Sequence, residues 1–167
     1  MPATIIQTND PRLRQVSRVL TEKEFNTTAF SDLLNEMRAT LAACPDGIAL
    51  AAPQIGINQR LFIVSPKAFD APKNKTTENY LIFANPAIKR QSRQKSELEE
   101  GCLSVRSVYG LIKRSTRVTI SAQDEHGNRF ERSASGLLAQ IFQHEIDHLD
   151  GKLFIDQARA LRTITND

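Results

Sequence analysis

Residues 144–148 read His-Glu-Ile-Asp-His, a pattern that ties its segment to one geometry. On an α-helix, positions i and i+4 lie about 400° apart, so both imidazoles leave nearly one face and can share a cation. Glu145, one step round, reaches water beside that cation and can take its proton. The chain holds only three His and two Cys in 167 residues, so their placement is informative. A chance occurrence of this pattern in such a chain is well below about one in a hundred. The surrounding sequence predicts the required helix, from Ser135 as N-cap to Asp150, with Gly151 as its terminator.

A tetrahedral catalytic site takes three protein ligands and keeps one position open. Metalloproteases of the common type supply the third ligand from downstream. Here the nineteen residues after His148 contain no His, Cys or Glu. Asp150 and Asp156 offer oxygen, but Asp150 reads better as a helix-terminus residue. Upstream, His126 sits beside Gly127 at a predicted hairpin tip, where a solvated turn residue is usual. Cys102, within Glu99-Glu100-Gly101-Cys102-Leu103-Ser104, is the better candidate. A thiolate binds strongly and is kept deprotonated by the metal, and Gly101 permits a tight backbone approach. Cys44 has no partner motif. Donor softness alone, one thiolate and two imidazoles, favours Zn²⁺.

The rest of the chain reads as short elements without repeats. Asp10-Pro11 opens a short N-terminal helix. Phe30, Leu33, Leu34, Met37 and Leu41 give helical spacing between Thr27 and Ala43, stopped by Pro45-Asp46-Gly47. Strands are predicted at 48–52, 60–64 and 80–84, with a polar loop over 65–79 and an exposed extended segment over 87–99. A hairpin turns at His126-Gly127-Asn128. Helices and strands are segregated, which favours α+β with small antiparallel sheets around the HExxH helix over a doubly wound fold. Length predicts one domain over 1–167. The net charge of +3 is far from the dense basic stripe of a dedicated nucleic-acid binder. No run is apolar enough for a membrane helix, and two cysteines make no disulfide framework. A cytoplasmic location is therefore expected.

Three segments together resemble the signature motifs of the peptide deformylase family. They are Gly47-Ile48-Ala49-Leu50-Ala51-Ala52-Pro53-Gln54, Glu100-Gly101-Cys102-Leu103-Ser104 and Gln143-His144-Glu145-Ile146-Asp147-His148. The similarity extends from Asp10-Pro11-Arg12-Leu13-Arg14 to Leu149-Asp150-Gly151-Lys152-Leu153-Phe154, nearly the whole chain. The resemblance implies that Cys102, His144 and His148 hold the metal and that Glu145 is general base and later acid. It implies that the Gln54 amide and the Leu103 backbone N–H stabilise the oxyanion. Gly47, Ile48, Ala49, Leu98, Gly101, Leu137 and Ile141 fall at substrate-binding positions, with Leu137 and Ile141 on the helix face of His144. The implied reaction removes the N-formyl group from formyl-methionine at the start of new polypeptides. The implied native metal is Fe²⁺, with Zn²⁺, Ni²⁺ or Co²⁺ able to substitute.

Four positions depart from the family pattern. Ala49 replaces a glycine and adds a methyl to the groove. Arg106 replaces a proline. Gln140 and Tyr109 stand where variation or a basic residue is expected. Lys89, Arg90, Arg93 and Lys95, and separately Lys113, Arg114 and Arg117, read as solvated strand faces, with weak attraction to the ribosome surface as a second reading. A metal-dependent peptidase and a catalytically weakened, ribosome-associated paralogue are the alternatives left by sequence.

Overall fold

A computed structural model describes residues 1–69 and 79–165. Most of the polar loop expected over 65–79 therefore lies outside the described residues. Among the described residues are two α-helices and eight strands: a helix, seven strands and a second helix follow in the order the pattern predicts, and an eighth strand comes after them. Helix α1 spans Thr28–Ala42, with the Thr27 side chain accepting from the Phe30 N–H, and it buries Phe30, Leu34, Met37 and Leu41. This is the face predicted from the apolar spacing. The N-terminal helix is one 3₁₀ turn, Pro11–Arg14, capped by the Asp10 carboxylate at the Arg12 N–H.

Strands β1 (Ala49–Ala51), β2 (Leu61–Val64) and β3 (Leu81–Gln91) come next, followed by β4 (Lys95–Cys102) and β5 (Val105–Ser115). Then β6 (Arg117–Gln123) and β7 (Arg129–Ser135) form the expected hairpin, and β8 (Arg159–Thr163) closes the described chain. One sheet has the order β1-β2-β3-β6-β7 and the other β4-β5-β8. Every pairing is antiparallel.

The segment expected as exposed and extended over 87–99 is indeed both, but it serves two sheets: its first half ends β3 and its second half opens β4. The strand beginning near residue 80 runs on through Pro86 because the register shifts between Ala84 and Ala87. A bulge is where a residue without an N–H fits inside a sheet. Asn85, at φ 49°, makes the kink. Its side chain accepts from the Leu20 N–H and donates to the Leu20 carbonyl and to Gln123, tying the N-terminal segment to the sheet.

Helix α2 spans Gly136–Leu149. Ser135 flanks its start, as predicted, although its side chain makes no capping bond. At the other end Gly151 takes φ 74°, and a Cβ there would lie 2.5 Å from the Arg14 carbonyl oxygen. Only glycine serves both needs. The N-terminal segment crosses at this point, with the Ser17 N–H donating to Leu149 O at 2.8 Å.

The larger sheet supports α2 through aromatic packing. Phe62 stacks on Phe83 with centroids 4.7 Å apart, and Phe142 of α2 meets Phe83 edge-on at 5.0 Å. All three rings are buried, and Ala139, Ile146 and Leu149 of α2 join the same cluster. The helix is thereby fixed in rotation, with its His144 face turned toward the second sheet. Phe142→Ala is expected to destabilise the fold by about 3–5 kcal/mol, measured by urea unfolding. A loss below about 1 kcal/mol would show that the cluster does not hold the helix.

Candidate metal centre

Cys102 ends β4, and His144 and His148 project from successive turns of α2. The Cys102 sulfur lies 3.2 Å from His148 Nε2, which lies 3.2 Å from His144 Nε2. The three donor atoms all fall within 4.8 Å of one another. Tetrahedral ligation at about 2.0–2.3 Å separates ligand atoms by roughly 3.3–3.6 Å, so the spacing fits one cation. Thiolate and imidazole lone pairs this close repel unless positive charge sits among them. Burial pushes the Cys102 thiol up, but the His148 and His144 imidazoles outweigh it and hold the thiol well below its usual range. These three residues fit a divalent cation. His126, the weaker candidate, lies on the surface with Nδ1 at 2.9 Å from Asn26 Oδ1. Asp150 and Asp156 pair with Arg60 and Arg14 instead.

A carboxylate from the strand of Cys102 sets the ring of His144. Glu100 Oε1 is 2.5 Å from His144 Nδ1, which leaves Nε2 as the ligating atom. Arg114 on β5 donates to both oxygens of Glu100, at 3.1 and 2.5 Å, and to Asp147 of α2 at 2.7 Å. Burial pushes the Glu100 carboxyl up, but His144 and Arg114 hold it at about 2. It is therefore an ionised acceptor. Arg114, only 5% exposed, corrects the sequence expectation that it belongs to a solvated basic face. Its neighbours Lys113 and Arg117 are exposed as expected. The alternation of Ile112, Lys113 and Arg114 along a strand is the signal that separates them, because Arg114 shares a face with buried Ile112.

Glu145 is buried beside the cluster, and its Oε2 finds no hydrogen-bond partner among the described residues. Burial pushes its carboxyl upward, aided by Cys102 and Glu100 and opposed by the two imidazoles. Gln54 is 1% exposed, and its Oε1 accepts from the Ala51 N–H at 2.9 Å. That bond fixes which end of the amide is which. The Nε2 therefore points at the cluster, 3.6 Å from the Cys102 sulfur and 3.2 Å from Ser104 Oγ. Gln7 Nε2 donates to Leu103 O at 3.0 Å and pins the peptide after Cys102.

A cleft of about 630 Å³ opens over these groups. Of the residues expected to bind substrate, Gly47, Ile48, Ala49, Gly101, Leu137 and Ile141 line it, together with Gln54, Cys102, Leu103, His144 and Glu145. Leu98 is not among its lining residues; it pairs with Ile112 within the second sheet. Tyr109 and Arg106 line the cleft, as does Ile164 just beyond β8. The Tyr109 ring lies against Gly101, where a Cβ would come within 2.6 Å of it. Glu100, Ser104 and Arg114 gain roles that local sequence did not assign. Cys44, half-buried beside α1, joins no such cluster.

A thiolate and two imidazoles beside a buried carboxylate, under a cleft with a fixed amide donor, define a metallohydrolase-type centre. The family profile described as Polypeptide deformylase matches residues 2–163. A peptide deformylase of Cellvibrio japonicus is 37% identical over 152 residues, covering 91% of this chain and 83% of that protein. The chloroplastic peptide deformylase 1B of Solanum lycopersicum is 38% identical over 157 residues; 94% of this chain is covered, which spans only 53% of that longer protein. Among solved structures, a Met-Ala-Ser-bound class I type b peptide deformylase from Acinetobacter baumannii superposes with a TM-score of 0.83. It is 30% identical and covers 94% of this chain and 98% of that one. The chain belongs to the polypeptide deformylase family.

Glu100→Gln is expected to weaken binding of Zn²⁺ or Ni²⁺ by about 10–100-fold, read by competition with a chromogenic chelator. Unchanged affinity would mean that packing alone orients the His144 ring.

Proposed function

We infer that the chain hydrolyses the N-formyl group from the start of newly made polypeptides, releasing formate. The carrying observation is one cleft that gathers Cys102, His144, Glu145 and Gln54, with His148 beneath, on a chain matched to the family over residues 2–163. The residues would act together as a single catalytic domain over 1–167. Among the described residues no helix is long and apolar enough to cross a membrane. We place the activity in the cytoplasm, where a thiolate ligand stays reduced.

Cys102, His144 and His148 would hold the metal, and we propose Fe²⁺ as the native ion. When bound, a divalent cation polarises a carbonyl oxygen and lowers the pKa of water toward about 7. Glu145, with its free buried oxygen, takes the proton of the attacking water. The formyl carbon becomes tetrahedral and its oxygen gains charge. Gln54 Nε2, held by its own Oε1, donates to that oxygen without titrating, and the Leu103 N–H is the second donor. Glu145 then passes its proton to the leaving amine nitrogen, so the C–N bond breaks to formate and a free N-terminus. Gly47, Ile48, Ala49 and Gly101 offer backbone to an extended peptide laid beside β1 and β4. Leu137 and Ile141 offer apolar surface to the methionine side chain. We assign no such role to Leu98. The exposed Lys89, Arg90, Arg93 and Lys95 would give weak attraction to the ribosome surface.

Protein loaded anaerobically with Fe²⁺ or Ni²⁺ is expected to release formate from formyl-Met-Ala-Ser, and release no greater than that of a Glu145→Gln control would overturn the reading. Gln54→Ala should lower kcat by about a hundredfold or more with a smaller change in KM, as removal of an oxyanion donor does. Neutralising the four basic residues should abolish any salt-sensitive pelleting with ribosomes; unchanged pelleting would dismiss that contact.

A further inference from the structure

The helix face that carries His144 also carries Gln140, four residues earlier, between Leu137 and Ile141 on the cleft wall. Gln140 puts an amide between the two apolar side chains, Leu137 and Ile141, that this helix gives to the cleft wall. Its Nε2 donates to the Glu99 carbonyl at 3.1 Å and to Glu100 Oε2 at 3.1 Å. An amide nitrogen carries two hydrogens, and both are thus used. The amide cannot turn round, because Oε1 would then face a carbonyl and the ionised Glu100 carboxylate. Among the described residues Oε1 has no partner, and it is not one of the sealed-off polar atoms. Its orientation is set by the same carboxylate that orients His144.

We propose that Gln140 is a specificity-determining residue whose carbonyl oxygen accepts a hydrogen bond from the first side chain of a bound formyl peptide. The pocket then takes an amide side chain such as glutamine as well as methionine. This rests on the formyl-hydrolase reading above. Both side chains are unbranched and similar in length, so shape does not separate them. A wholly apolar pocket excludes glutamine because its amide loses water without a replacement. A fixed acceptor at the wall supplies part of that replacement. Norleucine, with no polar atom, is the reference that gains nothing from it.

The test measures kcat/KM of the Ni²⁺-loaded protein for formyl-Met-Ala-Ser, formyl-norleucyl-Ala-Ser and formyl-glutaminyl-Ala-Ser. Wild type is expected to cleave the glutaminyl peptide within about tenfold of the norleucyl one. Gln140→Leu and Gln140→Met should each lower that ratio by about tenfold or more, the worth of one hydrogen bond. Losing the amide's bond to Glu100 slows all three peptides alike and cancels in the ratio. A ratio unchanged in a folded variant, or wild-type rejection of the glutaminyl peptide by more than about a hundredfold, overturns the proposal. If neither variant folds, the wild-type ratio decides on the same limits. Failure of wild type on all three peptides would remove the functional reading too, whereas cleavage of the methionyl and norleucyl peptides alone removes only this inference.

Discussion

The buried ion pair between Arg114 and Glu100 joins the parts that make this centre. Glu100 sits two residues before Cys102 on β4, Arg114 on the neighbouring β5, and Asp147 on α2 between the two histidines. One guanidinium therefore fixes the distance between the strand that brings the thiolate and the helix that brings the imidazoles. Both charged groups are nearly sealed, at 5% and 6% side-chain exposure. A buried pair like this adds little net stability, because desolvation offsets most of its attraction. Its value is positional: removing either partner strands a charge, so alternative packings of α2 on this sheet are costly. Arg114 engages both oxygens of Glu100, and each of them still accepts one further bond. Glu100 uses one on His144 and the other on Gln140.

Two independent supports thus converge on α2. On one side the Phe62, Phe83 and Phe142 rings lock the helix to the five-stranded sheet by shape. On the other, Arg114 ties it to the three-stranded sheet by charge. The cleft is the gap between those two attachments. That division explains why its floor is polar and rigid while the wall formed by Leu137 remains half open to solvent. Gln54 comes from a third place, a 3₁₀ turn after β1, and its amide is oriented by a backbone bond within that same turn. The proposed donor to the reacting oxygen is therefore set before any substrate arrives, as electrostatic stabilisation requires.

How much of this is legible in the sequence depends on the range of each interaction. The HExxH pair is local, since helix periodicity alone brings His144 and His148 together. The short N-terminal turn, helix α1 and the 117–135 hairpin are local in the same sense, written by caps, apolar spacing and turn residues. Cys102 needs contact across 42–46 positions, yet elimination of the alternatives and its glycine neighbour single it out. Arg114 is lost among basic residues because charge alone marks it as solvated, and its burial becomes visible only once Ile112 is known to face inward. Leu98 falls at a pocket position by resemblance, whereas this chain's strand pairing sets it opposite Ile112, outside the lining of the cleft. The β3 strand outruns the apolar segment 80–84 because the Asn85 kink absorbs Pro86 within the sheet. Strand β8 has every residue exposed, so no alternation announces it. Its backbone pairing with β5, the Arg162 bridge to Glu99 and the Arg162 guanidinium over the Tyr109 ring exist only in three dimensions.

Charge balance gives the arrangement its chemical direction. Among the groups of the metal cluster and the residues bonded to them, three carboxylates, Glu100, Asp147 and Glu145, and the Cys102 thiolate stand against one guanidinium, Arg114. A divalent cation offsets all but one of the remaining negative charges. That residual charge is least stable where burial is deepest and hydrogen bonds are fewest. Glu100 and Asp147 are both held by Arg114, whereas Glu145 has an oxygen with no partner. In the proposed reaction the proton drawn from water would therefore go to Glu145, and its arrival would neutralise the excess just as charge moves onto the formyl oxygen. The same imbalance favours giving that proton up only to a strongly basic acceptor, which the departing amine becomes as its C–N bond lengthens. One unpaired carboxylate among well-paired ones is the feature on which the proposed role of Glu145, base first and acid second, rests.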